Sequence, residues 1–168
     1  MDQGGANGSG ALYRLTRRPR GATFIEAILF SFQPRDSGDG ALPGGEPVRD
    51  SNGNFFGVTT WGGANNLGAV YETSPPAISG EPSPETVLYS FDGTDASLPA
   101  GRLLLGAGGV LYGPADGCGA SGAGAVFELD PPATPGAAWS EWTLDSFTGA
   151  GDGRNPQSGL IVEKKGRL

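Results

Sequence analysis

Histidine is absent from this chain of 168 residues, and cysteine and methionine each occur once. Without histidine, no Ser-His or Cys-His pair can generate a nucleophile. Cys118 has no partner for an internal disulfide, so cysteine usage does not indicate a redox compartment. Basic residues are also scarce: 11 Lys and Arg stand against 18 Asp and Glu, giving a net charge of −7. Because nucleic-acid binding needs clustered Lys and Arg facing the phosphates, we expect no nucleic-acid partner.

Long apolar runs are missing as well. No segment approaches the roughly 18 apolar residues that a membrane-spanning helix needs, so no membrane span is expected in this chain. Residues 1–15 have neither the basic start nor the apolar stretch of a signal peptide. The sequence therefore predicts no export signal and no anchor within these residues.

Glycine and proline, by contrast, are abundant, with 31 and 14 residues respectively. They recur together with aromatic residues at a spacing of about 56 residues, which is the mark of a tandem repeat. A repeat of this length is one supersecondary unit that must stack on its neighbours to bury its apolar faces. The recurring residues include Pro43, Pro99 and Pro156, then Gly10, Gly68 and Gly124, and then Phe32, Phe91 and Phe147.

Each unit contains four short segments with the alternating pattern of strands, and glycine is too dense for a helix anywhere. The first strand is predicted at 46–49, 101–105 and 159–162, and the second at 54–60, 110–115 and 167–168. The third is predicted at 11–15, 69–73 and 125–129, and the fourth at 27–32, 86–91 and 142–147. We expect Pro114 to end the pairing of a second strand, and a proline to open each first strand, where its missing N–H costs least. These opening prolines are Pro43, Pro99 and Pro156.

These patterns predict an all-β fold, a propeller-like tandem repeat with four-stranded antiparallel blades. Residues 1–168 form a single repeat domain, in which 43–98 and 99–155 are full repeats. Residues 1–42 supply the third and fourth strands of a split blade, and residues 156–168 supply its first and second strands. Parallel neighbouring strands would instead indicate a β-solenoid.

Three blade-equivalents are few for a closed ring, since propellers have about four to eight blades. An open fan, a fragment of a longer repeat protein and a dimer that completes six blades are the alternatives. The end of the sequence at 166–168, inside a strand motif, favours the fragment. Closing a ring would need further repeats or a second copy.

Several glycines and aromatic residues occupy equivalent places in successive units and are predicted to have structural roles. The glycines permit positive φ in tight turns, and the aromatic rings pack between blades. These positions are Gly53, Phe56, Gly57, Gly68, Tyr71, Phe91, Gly109, Tyr112, Gly113, Gly124, Phe127 and Phe147.

The segments 52–60, 62–65, 68–71 and 87–91 together resemble the GloVer tandem repeat, whose pattern runs aGNLYGTT, a GGA turn, GTVFELT and VLYSF. The resemblance covers nearly the whole chain in three copies, although residues 114–116 and Asp145 depart from the pattern. It implies a bacterial protein directed to the cell surface or the extracellular space, with no established activity.

Aspartates recur in the loops that follow the fourth strands, with a spacing of about three residues and with glycines between them. They loosely resemble calcium loops, but calcium takes six to eight oxygen ligands and no closing glutamate follows. Asp and Gly also stabilise turns through local hydrogen bonds, which is the favoured interpretation. A weak calcium site therefore remains an alternative, and no other cofactor is expected. The residues are Asp36, Asp39, Asp92, Asp95 and Asp152.

Two further features match the patterns of binding sites but also have structural interpretations. Trp61 could provide a stacking platform for a sugar, but burial against neighbouring residues is favoured. The glycines of 117–122 match G-x-G-x-x-G, but a dinucleotide site needs this loop to open a helix, whereas a strand is predicted next. No catalytic residue is singled out, since the 18 acidic residues allow many pairs and none is unique.

The sequence thus favours a non-catalytic extracellular or cell-surface scaffold whose loops face a glycan or protein partner. The alternatives are a carbohydrate-active enzyme or lectin-type propeller, and a truncated fragment without a function of its own.

Overall fold

The computed structural model describes residues 4–18, 23–76, 81–94 and 96–162, and it is built of short strands and turns. Among the described residues only two single turns of 3-10 helix are helical, at Arg35–Ser37 and Ala107–Gly109. The all-β prediction is confirmed. The strands are β1 Ala11–Arg17, β2 Phe24–Ser31, β3 Gly40–Arg49, β4 Phe55–Gly62, β5 Ala69–Thr73, β6 Glu85–Ser90, β7 Ala96–Pro99, β8 Leu104–Leu105, β9 Leu111–Cys118, β10 Ala125–Asp130 and β11 Ser140–Ser146.

The strands form three antiparallel sheets that follow one another along the chain. The first sheet pairs β1 with β2, and the second has the order β3-β4-β5-β6. The third has the order β11-β10-β9-β7, with β8 also paired to β9. The strand pairs are antiparallel throughout the described residues, so neighbouring strands do not form the parallel coil of a β-solenoid.

One turn is built in the same way in all three sheets. It spans Gly4–Gly10, Gly62–Gly68 and Cys118–Gly124, and in each case the last residue donates its N–H to the carbonyl of the first, at 3.1 to 3.2 Å. The carbonyl of that last glycine then accepts the N–H of the phenylalanine that follows the fourth strand, at 2.9 to 3.0 Å. These phenylalanines are Phe32, Phe91 and Phe147.

The prolines do not open the first strands, so this prediction is wrong. β3 begins three residues before Pro43, β7 ends at Pro99, and Pro156 lies outside any strand. The residue before each proline is held instead by a backbone hydrogen bond to the preceding repeat turn. Leu98 has φ 51° and donates its N–H to the Leu67 carbonyl at 2.8 Å. The equivalent bonds join Leu42 to Ser9 and Asn155 to Ala123, at 2.9 and 2.8 Å.

Pro114 does not end its strand either. It lies in the middle of β9, where it is opposite Val126 of β10, and β9 continues to Cys118. The Pro114 carbonyl accepts the N–H of Ala100 at 3.1 Å, so Pro114 still bonds to the residue that directly follows β7. Because a proline lacks only the donor, its acceptor is enough to keep the strand in the sheet here.

Glycine and an aromatic residue face each other across the second and third strands. Gly57 is opposite Tyr71, and Gly113 is opposite Phe127. The phenol of Tyr71 lies against Gly57, and a Cβ at Gly113 would stand 2.7 Å from the ring of Phe127. Only glycine therefore leaves room for the ring to lie flat across its own sheet.

Neighbouring sheets are joined by one ring from each. The Phe32 ring contacts that of Tyr71 edge to face with centroids 5.0 Å apart, and Phe91 contacts Phe127 in the same way at 5.1 Å. All four side chains are buried. The main core lies between the second and third sheets and includes Phe56, Val58, Val70, Phe91, Leu103, Leu111, Phe127 and Leu129. Each large side chain buried there contributes about 1.5–3 kcal/mol.

Three expectations stay untested. The predicted strand at 167–168 and the loop residue Asp95 lie outside the described residues. The unit boundaries at 43, 99 and 156 stay predictions.

Candidate functional site

The aspartates predicted as loop ligands lie in the connections that leave the fourth strands. Asp36 is in the first 3-10 turn and Asp39 directly precedes β3. Asp92 follows β6 and Asp152 follows β11. The Asp39 carbonyl accepts the N–H of Gly63 at 2.6 Å, so this loop lies beside the glycine turn at the same end of the second sheet.

These carboxylates accept hydrogen bonds within their own loops. Asp92 accepts the N–H and the hydroxyl of Thr94 at 2.9 and 2.7 Å, and Asp152 accepts the same two groups of Thr148 at 3.0 and 2.8 Å. The backbone N–H in each loop is the main cause that lowers the pKa of Asp92 and of Asp152. Asp39 likewise accepts the N–H of Gly40 at 2.8 Å.

Within the described ranges, no three residues of the types His, Cys, Asp and Glu come together closely enough to hold a metal ion. The loop aspartates instead have the local hydrogen bonds of turn-stabilising residues. The weak calcium site stays a prediction.

Trp61 lies beside an open groove between two loops of the second sheet. The groove has a volume of about 540 Å³, and its walls are residues 35–38 on one side and 63–66 on the other. The Arg35 guanidinium carbon lies 4.2 Å from the centre of the Trp61 ring, within the range of a cation–π contact. One side of the indole is therefore covered by a side chain from an exposed loop.

The walls of this groove, called here the Trp61 groove, are fixed by side-chain hydrogen bonds. Asn65 donates its amide to the Phe91 carbonyl at 3.1 Å, and the amide oxygen of Asn66 accepts the N–H of Gly62 at the same distance. In the third sheet Gly117 stands where Trp61 stands in the second, opposite the inner strand. The indole next to the Trp61 groove therefore has no counterpart in the third sheet.

The groove offers the guanidinium group of Arg35 and the carboxylate of Asp36 on one loop, and the Trp61 indole of β4 lies next to the guanidinium rather than among the lining residues. Such a set of groups suits a ligand with both polar hydroxyls and an apolar face. The Ser37 hydroxyl in the wall of the groove donates to the Pro34 carbonyl at 2.7 Å.

The comparison with family models identifies the fold unit. The model of the Gloeobacter/Verrucomicrobia repeat matches residues 1–168. The chain belongs to this repeat family. The GloVer resemblance is thereby confirmed. No curated protein and no solved structure matches the chain.

The glycines of 117–122 lie at the end of β9 and in the turn that follows it. These residues join β9 to β10 as the third copy of the repeat turn, and no helix follows. The dinucleotide interpretation therefore fails on geometry. At the first residue of this turn, the Cys118 sulfur lies 2.9 Å from the hydroxyl of Ser97, which is on β7.

One partly buried residue of the Gloeobacter/Verrucomicrobia repeat was not predicted from the sequence. Glu85 is half-buried at the start of β6, and its Oε1 atom is buried without a hydrogen bond. It is opposite Thr73, whose buried hydroxyl also lacks a partner. Burial is the largest cause that raises the pKa of Glu85 from 4.5 to about 8. The signal was the recurrence of glutamate at this place in Glu26, Glu85 and Glu141.

In the part of the chain that the structure describes, no helix is long and apolar enough to span a membrane.

Proposed function

We propose that the chain is a non-catalytic repeat scaffold that lies outside the cell and binds a partner at the Trp61 groove. The observation that carries the proposal is that the recurring residues and the residues near the groove have different roles. The recurring glycines and aromatics are used in turns and in contacts between sheets, so they support the fold. Trp61, which Gly117 replaces in the third sheet, differs between repeats, and the loops next to it are of the kind on which binding residues occur, because a rigid scaffold positions them.

We also propose that each sheet is a blade of a propeller-like fan. The strands of the second sheet pair in chain order, as in a blade, and the third sheet repeats this order. Equivalent segments of consecutive repeats touch, because Gly45 lies against the backbone of Gly101, and Gly101 lies against Gln157. Arg102 and Glu46 add an exposed ion pair at 4.0 Å beside this contact, which contributes little.

The location outside the cell rests on the resemblance to surface-directed members of the repeat family. Fractionation of a host that expresses the full-length parent protein tests it. Recovery of the protein in the cytoplasm alone would contradict this part of the proposal.

The partner class that we propose for the Trp61 groove is a glycan: the polar walls can meet sugar hydroxyls, and the indole can stack on the apolar face of a sugar that displaces the Arg35 side chain. The test is a glycan array with the purified chain, followed by titration of each bound glycan. We expect millimolar or tighter binding that is lost in Trp61→Ala. Trp142→Ala is the matched control, because Trp142 is 59 % exposed on a different sheet.

Two outcomes would overturn this assignment. Absence of any bound glycan at millimolar concentration would remove the glycan and leave a protein as the partner to be sought. Release of cleaved products from a bound glycan, followed by chromatography, would show a carbohydrate-active enzyme and contradict the non-catalytic role.

A further inference from the structure

The exposed large apolar side chains of the described residues are confined to two places. Five lie on the first sheet, and four lie on β11 or in the segment after it. The second sheet, which has a neighbour on each side, has none in its described residues. Apolar surface that gathers in this way marks an interaction site. The nine residues are Tyr13, Leu15, Phe24, Ile25 and Ile28, and Trp142, Leu144, Ile161 and Val162.

The open side of the first sheet carries side chains like those that are buried where the second and third sheets meet, and we call such a contact between two sheets a joint. Tyr13 and Leu15 on β1 occupy the places of Phe127 and Leu129 on β10. Phe127 and Leu129 are fully buried against the second sheet, whereas Tyr13 is 40 % and Leu15 is 53 % exposed. The first sheet therefore presents the receiving side of the joint to solvent. We call this surface the head face.

The open side of the third sheet carries the other half of the same joint. Val126 and Phe147 occupy the places of Val70 and Phe91, which are buried between the second and third sheets. Val126 and Phe147 are only half-buried, and Trp142 beside them is exposed. We call this surface the tail face.

We propose that a second copy of this chain covers both surfaces, the head face of each copy seating on the tail face of the other. The inference rests on the blade-like stacking proposed above and adds its partner. In this arrangement Phe147 of one copy meets Tyr13 of the other, as Phe91 meets Phe127 at 5.1 Å and Phe32 meets Tyr71 at 5.0 Å. The contact reuses a geometry that the chain already forms twice.

Charge decides the head-to-tail direction. On the tail face, cross-strand pairing places Glu128, Asp130 and Asp145 on the side of Val126 and Trp142, and β9, β10 and β11 contain no Lys or Arg. Two tail faces would therefore oppose one another. On the head face, the side of Tyr13 carries Arg17 and also Glu26, which is opposite Leu15, so this face has no net negative charge and repels the carboxylates less than a second tail face would.

Two copies with two such contacts form a closed twofold assembly. Three blade-equivalents from each copy give six, within the roughly four to eight that closed propellers contain. Closed symmetric dimers are the commonest oligomers, and a ring leaves neither apolar face exposed.

The test is the mass of the purified chain by light scattering after size exclusion, over a wide range of protein concentration. We expect twice the chain mass of 17.0 kDa at high concentration. Tyr13→Asp on the head face and Phe147→Asp on the tail face should each halve this mass. Trp142→Asp is a second tail-face variant at an exposed side chain, in case Phe147→Asp does not fold. Ser51→Asp, on an exposed turn, is the matched control and should stay dimeric.

Mixing gives the decisive result. Tyr13→Asp retains an intact tail face and Phe147→Asp retains an intact head face, so an equimolar mixture should recover a dimer through one joint. Folding of each variant is checked by circular dichroism. A wild-type chain that stays monomeric throughout would overturn the proposal and assign the two faces to further repeats of a longer chain. A dimer that survives in both variants would place the interface elsewhere.

The outcome is separable from the glycan assignment. A monomer that binds glycan through Trp61 would overturn the dimer alone, and a dimer that binds no glycan would overturn the glycan alone.

Discussion

The ring of Pro99 lies directly against Gly68, so that the last residue of one repeat turn is covered by the proline of the next repeat. Gly124 and Pro156 form the same pair, and a Cβ at Gly124 would stand 2.5 Å from the proline ring. In both cases the residue before the proline donates its N–H to the residue before the glycine, at 2.8 Å. This glycine–proline pair links each repeat turn to the segment that begins the next repeat, through a proline ring packed on a glycine and a backbone hydrogen bond.

Gly68→Ala should therefore destabilise the chain strongly. Gly68 has φ +95°, and its new methyl group would meet Pro99 and the carbonyl of Thr59. Strain and overpacking together are expected to lower the free energy of unfolding by about 3 kcal/mol. Urea unfolding followed by tryptophan fluorescence measures the change.

Gly122→Ala is the matched control for this substitution. Gly122 also has positive φ, at +67°, but nothing lies within 4 Å of its Cβ position, and Asn66 occupies the equivalent place in the second sheet. We expect a loss of about 1 kcal/mol from backbone strain alone. Equal losses in the two variants would show that the contact with Pro99 contributes nothing.

Phe91→Ala should separate the second and third sheets. Phe91 is 1 % exposed and lies against Phe127 and Tyr89. Truncation of a buried phenylalanine costs about 3–5 kcal/mol, measurable by denaturant unfolding. Phe24→Ala removes the same side chain where it is 58 % exposed, and in dilute solution it should cost less than about 1 kcal/mol. A small loss in Phe91→Ala would mean that the sheets are held together elsewhere.

Glu85 should make the chain less stable as pH rises. Its pKa is raised from 4.5 to about 8 in the folded chain, chiefly by burial. Between these values the unfolded chain has released the proton while the folded chain retains it, so the free energy of unfolding falls with increasing pH. The slope is at most about 1.4 kcal/mol per pH unit, and it is smaller because the side chain is partly solvated.

Glu85→Gln should flatten this part of the pH profile, as measured by urea unfolding at several pH values from about 4 to about 9. Thr73→Val is the matched control, since it removes the unpartnered hydroxyl opposite Glu85 without removing a titrating group. It should shift the whole profile by a constant amount. An unchanged slope in Glu85→Gln would show that another group is responsible.

The loop aspartates should respond to substitution more than to calcium. Asp92 accepts both hydrogen-bonding groups of Thr94, so Asp92→Ala should speed the hydrogen exchange of the Thr94 amide. Millimolar calcium should leave the melting temperature of the wild-type chain unchanged, because the described residues of these loops gather too few carboxylates to hold the ion. A calcium-dependent rise that Asp92→Ala abolishes would establish the weak cation site instead.

Much of the architecture could be predicted because the recurring residues include glycine and proline, which have characteristic backbone preferences. The turn glycines, the third-strand aromatics and the phenylalanines after the fourth strands were all identified from their spacing, and they form the turns and the joints. The Trp61 groove could not be predicted, because Arg35 reaches the indole from a loop of another connection and no pattern marks that contact. The burial of Glu85 was invisible for the same reason, although glutamate recurs at its position.

The amino-acid sequence by itself determined the repeat, the all-β class and the placement of most strands, since period and turn chemistry are local properties of the chain. Only the tertiary structure decided what the prolines do. Proline favours strand ends when each sheet is considered alone, but Leu42, Leu98 and Asn155 bond to the previous turn, and Pro99 and Pro156 lie against Gly68 and Gly124 of that turn. That preference comes from a contact between repeats, which exists only once the sheets have stacked.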